Sequence, residues 1–340
     1  MKTEMPLSKP IRLLISQAEN LLDTEISLLR NPGAEPNGTL VDVYTFTTEK
    51  NIIIIPAHYT GLLKDFIIAR HCAHLLIKGA AAKKSRYLVC SFTPDSMFQG
   101  IHQIYLDSLK DEAKKTDKLP VLKLIRMLSI LYSNFNDDIN ELPWNPITNA
   151  RIYHRMPHMR KTQLYYLMKE GKADMEDMME YESIIPRRYF VLSKSMFYAR
   201  DQFLAKILPA DQLMPVVNIP QMKKFNHLEV KEMLTTRWTN TSWYQSKFFG
   251  DTMLEIMEKH LRNIDWNAEP GLDYFHDLYR TGVNMTNNFI SYMSMNGWFV
   301  WESPKHLQDA RKVKAEYEFA ALKRIFGDLI ERSSLDLETG

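Results

Sequence analysis

The chain has 340 residues, of which 45% are hydrophobic and 25% are charged, and its formal net charge at pH 7 is +2. This composition excludes disorder over most of the chain, and the small net charge excludes a general attraction to nucleic acid or anionic lipid. The two cysteines exclude a disulfide framework, and no apolar run reaches the roughly 18 residues that a membrane-spanning helix needs. The first residues, "MKTEMPLSKPIRLL", lack the apolar core of a signal peptide, so a cytoplasmic location is expected.

The N-terminal residues predict a helix followed by a β-hairpin. Residues 10–30 carry leucines and an alanine near helical spacing and predict a helix. Residues 39–46 and 51–57 predict two strands joined by "TTEK". The apolar run from Ile52 to Ile55 indicates a strand that is buried on both faces.

The next helix is expected to begin after the capping residue Thr60 and to end at Gly79, because glycine favours the C-terminal end of a helix. Residues 86–92, "RYLVCSF", predict a third strand, and residues 136–149, "NDDINELPWNPITN", predict a loop. The remaining predicted elements are helices, at 119–135, 186–209, 227–238, 242–264, 272–295 and 303–331.

These elements predict an α+β, helix-dominated fold. Residues 1–92 are expected to form a small mixed α/β unit of helix, hairpin and helix. Residues 93–335 are expected to form a mostly helical domain that completes the same cleft.

The second predicted helix contains the sequence Arg70-His71-Cys72-Ala73-His74. In a zincin, one helix carries two zinc-binding histidines four residues apart, and the glutamate after the first histidine activates the metal-bound water. His74 stands at the place of the second histidine, but Arg70 stands at the place of the first and His71 at the place of the glutamate. A guanidinium stays protonated and cannot bind zinc, and imidazole is a poor substitute for the carboxylate base.

Residues 10–80 resemble the zincin-like metallopeptidases of the ImmA/IrrE type. The order "VDVYTFTTEKNIIIIP", "DFIIA" and "HLLIKG" is similar to the hairpin, the lead-in and the leucine-rich tail of the metal helix in that family. The resemblance implies a zincin-like fold whose catalytic residues have been lost. The family also has a downstream glutamate ligand, and the most similar segment here, Met196 to Pro215, has no glutamate in the required place.

A metal site with different ligands is an alternative. His71 and His74 are three residues apart and can face the same side of a helix. His58 could provide a third ligand, and Cys72 or Cys90 a fourth. The interpretation without a metal is a buried structural helix, with the two cysteines acting as small apolar residues.

A second candidate region is the basic segment, residues 151–169, which contains no acidic residue. Its basic side chains could contact phosphates while interleaved tyrosines stack on bases. The acidic residues that follow from Glu170 to Glu182 would cancel much of this field, which disfavours nucleic acid as a partner. The candidate nucleic-acid residues are Arg151, Arg155, Arg160 and Lys161.

The sequence therefore favours a catalytically degenerate zincin-like pseudopeptidase that acts as a binding or regulatory protein. No catalytic residue and no cofactor are expected, and the expected partner is a protein of unknown identity. The alternatives are a metal-dependent peptidase or hydrolase that uses His71 and His74 with zinc, and a nucleic-acid-associated regulator that uses the basic segment.

Overall fold

The protein is described here by a computed structural model. The described residues are 5–34, 38–44, 48–90, 94–110, 126, 129–130, 138–167, 187–207, 244–296 and 307–309. The helices are α1 (Lys9–Leu22), α2 (Gly61–Lys84), α3 (Pro94–Lys110), α4 (Trp144–Arg155), α5 (Arg187–Ile207), α6 (Tyr244–Leu261) and α7 (Leu272–Met295). The strands are β1 (Ile26–Asn31), β2 (Thr39–Val41), β3 (Asn51–Pro56), β4 (Leu88–Cys90) and β5 (Leu307–Asp309). Residues 138–141 and 160–167 are also helical.

The three N-terminal strands form one mixed sheet in the order β1-β3-β2. β1 pairs with β3 in parallel, and β2 pairs with β3 antiparallel. β3 occupies the centre because it is the most apolar of the three, with Ile53 and Ile55 fully buried and Ile52 and Ile54 half-buried. The predicted hairpin pairing is thus confirmed, although β2 ends at Val41 because Asp42 starts a turn by accepting a hydrogen bond from the Tyr44 amide at 3.0 Å.

Helix α2 lies at the centre of the fold and contacts α1, β3, α4 and α7. It follows Thr60, which has the extended backbone of an N-cap residue. Most of its residues from Lys64 to Ala81 are buried, as expected for a helix that is apolar on nearly all sides. The polar side chains between Lys64 and Lys78 therefore lie inside the protein or on the wall of a cavity.

The buried apolar side chains form one cluster that includes residues on both sides of position 92. Ile68 and Leu75 of α2 belong to the same cluster as Phe275 and Phe289 of α7. The fold is α+β and helix-dominated, as predicted. The proposed division at residue 92 stays a prediction.

The predicted helix 10–30 is wrong after Leu22. Asp23 adopts a left-handed conformation with φ 57°, and its amide donates to the Glu19 carbonyl at 2.7 Å. The Glu19 carboxylate then accepts a hydrogen bond from the Ile26 amide at 3.0 Å, which starts β1. The helix thus ends at the left-handed Asp23, and the Glu19 carboxylate holds the first amide of β1.

The predicted end of α2 at Gly79 is also wrong, since the helix continues to Lys84. Gly79 serves close packing instead, because a Cβ at this position would lie 2.3 Å from Leu22 Cδ2 and 2.8 Å from Tyr44 Oη. The helix ends at Ser85, whose amide and hydroxyl both donate to the Ala81 carbonyl.

Two further predictions differ from the structure. The predicted loop 136–149 is wrong, because residues 138–141 are helical and α4 begins at Trp144. The predicted helix 303–331 is wrong at residues 307–309, which form β5 and pair with β4. The predicted helices at 186–209, 242–264 and 272–295 correspond to α5, α6 and α7. The predicted helix 227–238 lies outside the described residues, as do most residues of the helix 119–135.

Candidate functional site

A cavity of about 410 Å³, here called the cleft, lies beside α2. Its walls come from α2, the start of β2, residues 138–148 and α5. The lining residues used below are Arg70, His71, His74, Lys78, Asp138, Glu141, Trp144, Asn145, Thr148, Phe197 and Arg200. The volume falls within the range of about 300–1,000 Å³ typical of small-molecule sites.

Three nitrogen-bearing side chains follow one face of α2 into the cleft. Arg70, His74 and Lys78 are spaced four residues apart, which places them one above the other on a helix. These residues are here called the α2 stripe. His74 and Lys78 are each only 8% exposed.

Arg70 is the residue that the zincin resemblance aligns with the first metal-binding histidine. Its Nη1 donates a hydrogen bond to the Tyr166 hydroxyl at 2.5 Å, and its guanidinium carbon lies 5.3 Å from the centre of the Tyr166 ring. Tyr166 is almost fully buried. The guanidinium is therefore held in a specific place by hydrogen bonding and a cation–π contact.

His74 lies at the middle of the cleft. Its Nδ1 is 3.6 Å from Oε2 of Glu141, and its ring centre is 6.1 Å from that of Trp144. Its Nε2 is buried and has no hydrogen-bond partner. Burial lowers the pKa of His74 well below its ordinary value, and Lys78 acts in the same direction. His74 is therefore neutral at pH 7 and leaves one buried ring nitrogen unsatisfied.

Lys78 closes the inner end of the α2 stripe through a buried ion pair. Its Nζ lies 3.2 Å from Oδ2 of Asp42, which is fully buried. The amine also lies 5.3 Å from the ring centre of Tyr87. Burial alone would lower the pKa of Lys78, but Tyr87 and Asp42 together hold it above its ordinary value. Lys78 thus carries a fixed positive charge whose counter-ion is Asp42.

The opposite wall carries oxygen-bearing side chains. Asp138, Glu141, Asn145 and Thr148 all line the cleft, and their spacing of three and four residues suits one helical face. The polar surface continues inward, because Asn149 donates to the Asn145 carbonyl and side chain at 2.9 and 2.8 Å.

Behind this wall, the side chain of Gln163 donates to the Asn149 carbonyl and side-chain oxygen at 2.8 and 3.0 Å. Oε1 of Gln163 and Oγ1 of its neighbour Thr162 are buried without a partner. The cleft therefore has a polar floor that extends into the core.

The candidate metal ligands do not all meet in the cleft. His71 and His74 both line it, and a Cβ on Gly38 would lie 3.0 Å from Nε2 of His71. His58 is exposed and stacks edge-on against Tyr59, away from the cleft lining. Among the residues that the structure describes, no three His, Cys, Asp or Glu side chains form a group that could hold a metal.

Cys72 is fully buried, and burial raises its pKa to about 12, with the Glu19 carboxylate of α1 acting in the same direction. Such a thiol is protonated and is a poor metal ligand. The side chain of Cys90 lies outside the described residues.

Zinc, which the resemblance to zincins implies, does not fit the residues present. The first ligand position holds the Arg70 guanidinium, fixed against Tyr166, and the base position holds His71. No chemical step through zinc is therefore derived for this chain.

The arginines of the basic segment make intramolecular contacts. Arg151 is 7% exposed, and its Nη1 donates to the carbonyls of Trp266 and Ala268 at 2.5 and 2.9 Å. Arg155 donates to the Asn267 carbonyl at 3.0 Å. These two arginines therefore hydrogen-bond the end of α4 to the connection between α6 and α7.

Arg160 donates to the Tyr153 carbonyl at 2.9 Å, and its guanidinium carbon lies 4.5 Å from the centre of the Tyr153 ring. Lys161 is half-buried. The proposed nucleic-acid contacts of these four residues stay a prediction, but three of the four already use donors for internal bonds.

A larger cavity of about 760 Å³ lies between α1, α2 and α4. Apolar side chains such as Leu13, Leu76 and Phe275 form most of its lining, with Arg151 and Arg155 at one end. Ligand sites usually combine an apolar wall with a few polar groups that fix orientation. The two arginines of the larger cavity already donate to backbone carbonyls of residues 266–268, whereas the cleft is lined by His74, whose buried Nε2 has no hydrogen-bond partner. The cleft is therefore the candidate site.

Sequence reasoning missed Glu141, Asp138 and Lys78. The two acids fall in a segment that was predicted as a loop, and nothing near them in sequence indicates that they face α2. Lys78 could have been found, because it continues the four-residue spacing of Arg70 and His74.

None of the described helices is both long enough and apolar enough to cross a membrane. Searches with this chain against protein-family models, curated proteins and solved structures returned no match.

Proposed function

We propose that the protein is a catalytically degenerate zincin-like protein that acts by binding a ligand or partner in the cleft. The observation that carries this proposal is Arg70. It occupies the first ligand position of the zincin helix and is held there by the Tyr166 hydroxyl at 2.5 Å. A guanidinium at this place replaces a metal ligand with a permanent positive charge.

The order of elements supports the zincin-like part of the proposal. Helix α1 precedes a small sheet, the most apolar strand β3 is its central strand, and α2 follows β3 directly. This is the arrangement of helix, hairpin and metal helix that the resemblance implies. The α2 face that would carry the metal ligands lines the cleft through Arg70 and His74.

Three features of the cleft support a binding role. It has an appropriate volume, an aromatic side in Trp144 and Phe197, and charged groups of both signs on its walls. Buried polar groups cost stability unless they are satisfied, so a chain that keeps several of them around one cavity has a use for them. We place this binding function in the cytoplasm, where a regulatory protein with two cysteines needs no disulfides.

A rearranged metal site is the second candidate function. It is favoured by one observation, that His71 and His74 line the same cavity. A carboxylate oxygen of Glu141 lies 3.6 Å from Nδ1 of His74, but these three side chains would have to move to form a group that could hold a metal. A catalytic zinc usually has three protein ligands and an open position. Binding of nucleic acid through the basic segment has weaker support, because Arg151, Arg155 and Arg160 already bond to backbone carbonyls.

Metal content and peptidase activity test the proposal together. Elemental analysis of protein purified without chelators is expected to find far less than one zinc per chain. Addition of zinc is expected to produce no cleavage of unfolded casein. The matched variants are His74→Ala, in the cleft, and His58→Ala, at an exposed histidine outside it.

One zinc per chain that is lost in His74→Ala and retained in His58→Ala would contradict the proposal. It would establish the rearranged metal site instead. Zinc that both variants retain would place the metal elsewhere in the chain and would leave Arg70 as the reason for a non-catalytic cleft.

A further inference from the structure

The α2 wall of the cleft and the wall formed by residues 138–148 differ in chemistry. Arg200 of α5 also lines the cleft, and its guanidinium is paired with the Asp201 carboxylate at 3.0 Å. The α2 stripe presents nitrogen atoms, with a permanent positive charge at Arg70 and a second at Lys78 that Asp42 balances. The facing wall presents oxygen atoms, with the carboxylates of Asp138 and Glu141. His74 and Glu141 approach each other across the cavity at 3.6 Å.

This separation of charge selects for a ligand that carries both signs. A simple anion, such as phosphate, would be attracted to Arg70 but would lie close to the carboxylates of Glu141 and Asp138. A simple cation would meet the opposite conflict with the α2 stripe. A small zwitterion places one charge against each wall and avoids both conflicts, and its charge-assisted hydrogen bonds are the stronger kind.

Buried polar atoms indicate that something completes the site. Nε2 of His74 has no partner, although the residue is only 8% exposed and lines the cavity. Unsatisfied buried polar atoms are rare in folded proteins and mark positions that a water or a ligand completes. Because Nδ1 of His74 faces the Glu141 carboxylate, the ring proton belongs on Nδ1, and Nε2 is then an acceptor that suits an ammonium or amide donor.

The rest of the cleft limits the size and character of the ligand. Its volume of about 410 Å³ suits a small molecule and is too small for a folded domain. Trp144, Phe197 and Leu142 contribute apolar surface to the same cavity and are themselves 5–8% exposed. A side chain of moderate size can pack against them while the charged end of the molecule meets the walls.

We propose that the cleft binds a free α-amino acid, with the carboxylate toward Arg70 and the ammonium toward Glu141. This inference rests on the proposed function, namely that the cleft is a binding site and does not hold a catalytic zinc. It goes further by naming the chemical class of the ligand and the role of each wall.

The test begins with a thermal-shift screen of the full chain against each proteinogenic L-amino acid at millimolar concentration, with inorganic phosphate and acetate as simple anions. The amino acid that raises the melting temperature most is then compared by calorimetry with two matched probes. One is the same carbon skeleton without the ammonium group, and the other is the same skeleton without the carboxylate. Each probe is expected to bind at least about ten-fold more weakly, since each loses one charge-assisted contact.

Two variants test which wall of the cleft contacts which charged group of the ligand. Glu141→Gln removes one carboxylate from a side chain that is 60% exposed, so folding is not at risk. It should weaken binding of the amino acid by about ten-fold and should not weaken binding of the probe without an ammonium, which loses a repulsion. Arg70→Met should weaken binding of the amino acid and should not weaken binding of the probe without a carboxylate. Glu255→Gln and Arg280→Met, at exposed positions on α6 and α7, are the matched controls and should change neither.

Three results would overturn the inference: no amino acid raises the melting temperature, phosphate or a one-charge probe binds as tightly as the amino acid, or Glu141→Gln leaves the affinity unchanged. The proposed function fails separately, through zinc content and peptidase activity. A zinc-free, inactive chain that binds no amino acid would retain the proposed function and lose only this ligand class.

Discussion

Two regions in the described part of the chain are rich in basic nitrogen, and they are used in different ways. In the α2 stripe, the charged groups line a cavity, and one of them, Lys78, has a fully buried counter-ion in Asp42. In the basic segment, Arg151 and Arg155 donate to backbone carbonyls of the connection between α6 and α7. The comparison teaches that a cluster of positive residues in a sequence is a binding surface only if the fold leaves its donors facing a cavity or solvent.

The largest effect is expected when the charge of Lys78 is removed from the α2 stripe. Lys78→Met should lower the free energy of unfolding by about 3–5 kcal/mol, because Asp42 would remain buried without its counter-ion. Urea denaturation measures this change. Adding Asp42→Asn should recover much of the loss, and Lys83→Met, at an exposed lysine of the same helix, should stay within about 0.5 kcal/mol of the parent. A single variant as stable as the parent would mean that the buried pair contributes nothing.

Arg151→Met tests whether the basic segment is structural. It should lower the free energy of unfolding by about 1–3 kcal/mol, because the carbonyls of Trp266 and Ala268 lose their donor. Chemical denaturation provides the measurement, with the exposed Arg280→Met as control. An Arg151→Met protein that keeps full stability but loses measurable affinity for single-stranded nucleic acid would reverse the roles of the two regions.

The smallest expected effect concerns the pH dependence contributed by His74. Its pKa is lowered in the folded state, so the unfolded chain binds the proton more readily. Its contribution to stability is therefore complete above the unfolded pKa of about 6.5 and is lost as the pH falls below that value.

The slope from this one proton is at most about 1.4 kcal/mol per pH unit. Denaturation curves between about pH 7 and pH 5 should consequently be flatter for His74→Gln than for the parent. Equal slopes for the two proteins would show that His74 titrates normally, and that the interior of the cleft is better hydrated than its burial indicates.

Local patterns predicted much of the fold. The apolar run at β3 and the amphipathic spacing of α7 are set by the residues themselves, and both elements were found. The error at β1 has a physical cause, since Leu28 and Leu29 continue the apolar spacing of α1. The helix is stopped by hydrogen bonds of Glu19 and by the left-handed backbone of Asp23, where no glycine or proline announces a break. At Gly79 the error was the opposite one: a helix end was predicted where the helix continues, because this glycine serves close packing against Leu22.

The candidate site was only half predictable. His71 and His74 lie three residues apart in a segment whose apolar residues predict a helix, so their place on one helix could be inferred. Glu141 comes from a segment 67 residues away from His74, and only the packing of α4 on α2 brings the two together. The structural role of Arg151 was equally hard to predict, because the carbonyl that accepts its hydrogen bond belongs to a residue more than a hundred positions downstream.

The pairing of β4 with β5 has a consequence for the order in which the chain can complete its fold. β4 ends at Cys90 and its partner begins at Leu307, so more than two hundred residues are synthesised between the two. At roughly 5–20 residues per second, a ribosome needs on the order of 10–40 s to supply the second strand. Until then β4 is an open edge that another nascent chain could join.

Tyr279 of α7 shortens that exposure, because its hydroxyl accepts from the Leu88 amide and donates to the Arg86 carbonyl, both at 2.8 Å. The segment before β4 can thus be anchored as soon as α7 has emerged.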